Sequence, residues 1–143
     1  MPVTVQVYNH TTRRFLEGSN NVSDTYKVLL ATSATFSAAH VNLADITYTE
    51  VADGNGYSTG GATLANVAVN TVTTNDAALT ADTVIWNANG GPIVAAFGIL
   101  YNASSGGSPP VAFLNFGGTQ TAGDQTEFKI IWSPSGIFSL TIA

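Results

Sequence analysis

The stretch Glu127-Phe128-Lys129-Ile130-Ile131-Trp132-Ser133-Pro134-Ser135-Gly136-Ile137-Phe138-Ser139-Leu140-Thr141-Ile142 decides the fold class. Phe128, Ile130 and Trp132 alternate with Glu127 and Lys129, and Phe138, Leu140 and Ile142 alternate with Ser139 and Thr141. A period of two marks a strand with one face on a core, because successive side chains point to opposite sides of a sheet. Between the two runs stands Ser133-Pro134-Ser135-Gly136. Pro at the second position of a turn and Gly at the fourth is type I chemistry, so the spacing predicts a closing β-hairpin.

The same period extends outward through most of the chain. Val3, Val5 and Val7 alternate with Thr4 and Gln6, and Tyr26, Val28 and Leu30 share a face opposite Lys27, Leu29 and Ala31. In the run 93–101, Ile93, Phe97, Ile99 and Tyr101 fall on one face while Val94, Ala96, Gly98 and Leu100 fall on the other. Both faces are apolar, which predicts a strand covered on both sides. A further strand is expected over 111–116, broken by Gly117-Gly118, with others at 46–51, 64–73 and 83–86. Short helices are expected over 11–17, between an Asn9 cap and Gly18, and over 38–44 behind Ser37. Asn102 to Pro110 reads as a loop by composition. The expectation is a single all-β domain over 1–143, a two-sheet β-sandwich or jelly roll with one or two short helices, in which residues 1–8 form an edge strand or an arm.

Composition narrows the function. The 143 residues are 45% hydrophobic but only 9% charged, against about 25% in an ordinary globular protein. Four basic residues against nine acidic ones leave a net charge of −5, which cannot neutralise a run of phosphates or hold an anionic membrane. No nucleic-acid or membrane partner is expected. The longest apolar stretch, Pro92 to Tyr101, is about half of the roughly 20 residues a spanning helix needs. No basic segment followed by an apolar one opens the chain, so no secretory signal is expected, and the sequons at Asn9, Asn21 and Asn102 are read as chance. Without cysteine there is neither a disulfide framework nor a thiolate metal site.

Little chemistry is expected. His10 and His40 are the only histidine bases, neither sits in a catalytic motif, and both read as polar residues with local hydrogen bonds. Asp53-Gly54-Asn55-Gly56 reads as a glycine-rich turn before it reads as a calcium loop, since no acidic residue follows until Asp76. Asp76 and Asp82 read as turn carboxylates, and Trp86 and Trp132 as core residues on the apolar phase of their strands. The chain is therefore expected to be no enzyme and to use no cofactor or metal.

In sequence order, Asp24 to Ser33, Gly54-Asn55-Gly56-Tyr57-Ser58-Thr59-Gly60-Gly61 to Leu64, Ala81 to Trp86, Ala95 to Asn102, Ala112 to Thr121 and Phe128 to Leu140 resemble a family of small tailed-bacteriophage virion proteins related to capsid decoration, or cement, proteins. The resemblance runs from about Tyr8 to Leu140. Its most specific pieces are Gly56-Tyr57-x-x-Gly60-Gly61, the strand ending at Trp86, and Trp132 to Leu140. Where similar proteins carry charges before the first tryptophan, this chain has Ala77-Ala78-Leu79. The resemblance implies a structural role on the virion surface after synthesis in the host cytoplasm, with the major capsid protein and further copies of the chain, as a homotrimer, for partners. A receptor-binding module of a tail fibre or tail tip is the alternative. Arms and loops are free to reach a neighbour, so the expected contact residues are Val3, Val5 and Val7 of the N-terminal segment, Asn55 and Tyr57 of the glycine loop, and Asn102, Ser105 and Pro109 of the later loop.

Overall fold

The computed structural model describes residues 3–71 and 76–141, the last without its side chain. In chain order the elements are β1 (Thr4–Val7), α1 (Asn9–Leu16), β2 (Tyr26–Ala34), a 3-10 turn (Leu43–Asp45), β3 (Tyr48–Glu50), β4 (Ala62–Thr63), β5 (Ala68–Asn70), β6 (Asp76–Thr80), β7 (Val84–Asn87), β8 (Ile93–Asn102), β9 (Pro110–Ala122), β10 (Glu127–Ile130) and β11 (Phe138–Thr141). The fold is all-β and sandwich-like. One large sheet runs β1-β9-β8-β2-β3, with β4 added to β2; the facing layer is divided into β10-β7 and β11-β6-β5. Every pairing is antiparallel.

The large sheet is buried on both faces, as the double apolar pattern of its central strands requires. Tyr26, Val28 and Leu30 of β2 pack with Leu79, Trp86, Phe116 and Phe128 in the core between the layers. Leu29 and Ala31 join Ile99, Tyr101 and Phe113 on the other face, under Phe36, Leu43 and Ile46 of the segment that follows β2. Val28, Leu29 and Leu30 are all fully buried, each contributing about 1.5–3 kcal/mol. Helix α1 has eight residues, too short to persist alone. It is held by the Thr11 hydroxyl, which donates to the Val111 carbonyl at 2.9 Å, and by Phe15, stacked on Tyr26 at 6.1 Å.

Several expectations need correction. The C-terminal hairpin does not form: β10 pairs with β7, and β11 pairs with β6. The turn itself is present, with Gly136 N–H donating to the Ser133 carbonyl at 2.8 Å and Gly136 at φ +98°. On either side, however, the Trp132 indole donates to the Asp82 carbonyl and the Ile137 N–H to the Leu79 carbonyl, which sends the flanking segments to different sheets. Trp132 is consequently only half-buried, whereas Trp86 is in the core. Ile142, Val72 and Thr73 lie outside the described residues.

Of the segment expected as one strand over 64–73, only β5 (Ala68–Asn70) is a strand among the described residues; Asn66, at φ +52°, separates it from β4 at Ala62–Thr63. Gly117 and Gly118 do not end β9. They form a bulge in which residues 116–119 stand opposite the single residue Ala96, between the pairs Ala95↔Gln120 and Phe97↔Asn115. A bulge shifts the phase of the pleat. Ile93 and Ala95 accordingly face the inter-layer core while Phe97, Ile99 and Tyr101 face the other side, so Ile93 does not share their face. The helix at 9–16 starts two residues earlier than expected, with Tyr8, whose side chain makes no capping bond, at the N-cap position in place of Asn9, and the second expected helix is reduced to the turn at 43–45, closed by reciprocal Asn42 and Asp45 bonds. Residues 4–7 pair with β9 as the edge strand of the large sheet.

Candidate interaction surface

Two strands end their sheets on the same side of the molecule, and a cleft opens between them. β1 is the outermost strand of the large sheet and β10 that of the two-stranded sheet. The inner face of β1 presents Val3 and Val5, opposite Leu114 and its neighbours on β9. Across the gap, β10 turns Phe128 and Ile130 inward and Glu127 and Lys129 outward. The cleft has a volume of about 480 Å³, with Phe116 and Phe128 in its wall and Ile131 and Trp132 at its rim. Val3 is 53% exposed, Val5 38% and Ile131 73%. Here the inter-layer core reaches solvent.

The charges beside the cleft cancel. Lys129 Nζ meets Glu127 Oε2 at 2.7 Å, both side chains being nearly half exposed, so the pair adds little stability. A second opening of about 220 Å³ lies between α1 and β11-β6-β5, lined by Phe15, Leu16, Val69, Ala77, Phe138 and Leu140. Its lining is almost wholly apolar side chain, and Leu16, Val69 and Leu140 are exposed.

The expected contact residues divide. Val3 and Val5 come together at the large cleft, and Val7 lies half-buried further along β1. Asn55 is exposed at the tip of the glycine loop, at φ +53°, but its side-chain amide donates to the Pro92 carbonyl at 3.3 Å. Tyr57, Asn102 and Pro109 are buried and offer nothing to a partner. Asn102 closes β8 with its amide donating to Asn20 Oδ1 and Asp24 Oδ2, and Ser105 accepts from Arg14 at 3.2 Å. The segment 102–110 is thus anchored to the helix and its following loop at Asn102 and Ser105, with Ala103, Ser104, Gly106 and Gly107 exposed between and beyond them.

Tyr57 belongs to the motif Gly56-Tyr57-x-x-Gly60-Gly61, whose residues have a structural reason. Its hydroxyl accepts from the Leu30 N–H at 3.0 Å and donates to Glu50 Oε1 at 2.7 Å, while its ring lies 6.1 Å from Trp86. Burial pushes its ionisation far above the usual tyrosine range. Glu50 Oε1 also accepts from the Gly60 N–H, and the Tyr101 hydroxyl donates to the Gly60 carbonyl. Gly56 and Gly61 both have positive φ, and a Cβ on either would overlap backbone, at Asn87 and Val28 respectively. The loop is a joint between layers. Asp53 completes it as a turn carboxylate, accepting from the Thr59 N–H at 3.0 Å.

The remaining polar residues take local roles. Asp82 accepts from the Asn66 amide at 2.6 Å, and His10 shares a hydrogen bond with the Pro110 carbonyl at 2.9 Å. Asp45, which accepts from the Asn42 and Val41 N–H groups, has its pKa lowered by those bonds. No group of three His, Cys, Asp or Glu able to hold a metal occurs among the described residues.

Sequence reasoning missed Ile131, Leu16 and Val69 as surface residues. Ile131 carried a visible signal, an isoleucine on the polar phase of an otherwise alternating strand. Leu16 carried none, because its exposure depends on how far α1 stands from β11. Compared with protein-family models, curated proteins and solved structures, the chain matches none of them.

Proposed function

We propose that the chain is a structural subunit of a bacteriophage virion, a decoration protein that binds the assembled head shell and stabilises it. One observation carries the reading: among the described residues the inter-layer core is left open at the cleft beside β1 and at the opening beside α1, on a chain of which only 9% is charged. Openings of this kind suit a part that is finished by its neighbours. With 9% charged residues, such contacts bury hydroxyl, amide and aliphatic groups and avoid the desolvation of unpaired ions. The resemblance to virion proteins points the same way. A protein that binds the shell and not the loose shell subunit stabilises the shell by mass action, and many weak sites add.

The tail-tip alternative draws on 102–110 as a contact loop; bonds at Asn102 and Ser105 anchor that loop, while Ala103, Ser104, Gly106 and Gly107 stay exposed. The test is cosedimentation of the purified chain with assembled heads and with unassembled capsid subunits of the phage that carries it. Retention by heads alone is expected. Absence from heads, or localisation to the tail by electron microscopy, would sink the proposal.

A further inference from the structure

We infer that the cleft beside β1 is closed by a second copy of the chain, with β1 pairing antiparallel to its own counterpart about a two-fold axis through Val5. The inference rests on reading the cleft as a contact surface and specifies what fills it.

The edges of the molecule are not alike. β10 places Glu127 and Lys129 on its outward face, and charged residues on an edge strand discourage pairing with another chain. β1 has no such protection. From Val3 to Val7 it carries no charge, no proline and no bulge, Thr4 to Val7 pair continuously with β9 on one side, and among the described residues no strand lies on its other side. An unprotected strand edge is a row of unpaired N–H and C=O groups, and a row of this kind pairs with extended backbone.

The sequence of that edge is self-complementary. Val3-Thr4-Val5-Gln6-Val7 set antiparallel to itself and centred on Val5 places Val3 against Val7, Thr4 against Gln6 and Val5 against Val5. Valine meets valine on the inner face, and the hydroxyl and amide meet on the outer face. A two-fold axis perpendicular to the sheet also keeps the faces in phase. The two large sheets become one, both small layers lie on the same side of it, and the two clefts open toward each other.

Size and charge decide the rest. The four residues of β1 make a ladder only about 13 Å long, too small to hold two proteins without help. The walls of the facing clefts, with Ile131 at each rim, supply the remaining apolar contact. Each chain carries −5 overall, yet β1 is uncharged and Glu127 and Lys129 neutralise one another, so the meeting surfaces bring no net charge to the axis. The assembly is two-fold, in place of the homotrimer that the resemblance implies.

The absence of cysteine makes the test direct. In Val5→Cys the only two thiols of a dimer sit opposite each other across the axis, with Cβ atoms about 4.5–5.5 Å apart. Air oxidation of purified Val5→Cys is expected to give a disulfide dimer at least about tenfold faster than Ile85→Cys, an exposed site on β7, at equal concentration. Light scattering is expected to give the mass of two chains for the unaltered protein and of one chain for Val5→Lys with an unchanged circular dichroism spectrum. Equal cross-linking rates for the two cysteine variants, or a monomeric mass for the unaltered chain, would overturn the pairing. Head binding by such a monomer would leave the decoration reading standing while removing this one, so the two failures are distinguishable.

Discussion

At the scale of single residues, glycines of similar backbone conformation carry very different loads. Gly18 and Gly61 both have φ near +80°, but an added Cβ at Gly18 meets open space while at Gly61 it overlaps the Val28 backbone. Gly18→Ala therefore costs only the left-handed backbone penalty, about 1–2 kcal/mol. Gly61→Ala adds overpacking against backbone that cannot move aside, for a total of about 2–5 kcal/mol. Urea unfolding of the two variants measures the difference, and equal midpoints would contradict the described packing of the loop. This distinction was invisible in the sequence. The glycine loop was legible as a turn from its composition, but only the approach of β2 and of Asn87 shows which glycines have no room for a side chain.

At the scale of elements, partner choice is what periodicity leaves open. Alternation located β2, β7, β8 and β10 because each has at least one face on a core, and a period of two records that directly. It also showed that β8 is covered on both sides. It did not show that β10 pairs with β7, since turn chemistry at Ser133–Gly136 states where the chain reverses and not which strands meet afterwards. The bulge opposite Ala96 was hidden for a related reason: Gly117-Gly118 reads as a breaker when its partner strand is unknown. A cross-link tests the pairing. Ile85 and Lys129 are directly opposed and both exposed, so the double variant Ile85→Cys, Lys129→Cys is expected to form an intramolecular disulfide and gain about 2–4 kcal/mol of stability. Failure to close that bond under oxidation would argue for the hairpin instead. The candidate surface was half legible. Val3 and Val5 were found as strand residues near a terminus, whereas Tyr57, Asn102 and Pro109 were chosen as loop residues and are buried, because a glycine-rich or serine-rich loop can still carry the residues that lock it in place.

At the scale of the whole molecule, stability has an alkaline limit. Tyr8, Tyr26 and Tyr57 all have their ionisation raised by burial well above the ordinary tyrosine value near 10. Above that pH an unfolded chain releases phenolic protons that the folded chain retains, so the stabilisation is complete below about pH 10 and is lost as the pH rises further. Tyrosinate absorbance is expected to lag behind that of free tyrosine and then to rise together with loss of the β-sheet circular dichroism signal. Smooth ionisation of all five tyrosines near pH 10 with the sheet intact would contradict the burial of these three. Tyr57 has a further consequence for the fold as an object. It reaches from Trp86 in one layer to the Leu30 amide in the other, so the gap between the sheets at that point is set by the length of one phenol side chain. Tyr57 works as a strut of fixed length: a shorter side chain lets the layers sag, a longer one pries them apart, and phenylalanine keeps the length but loses the fastening.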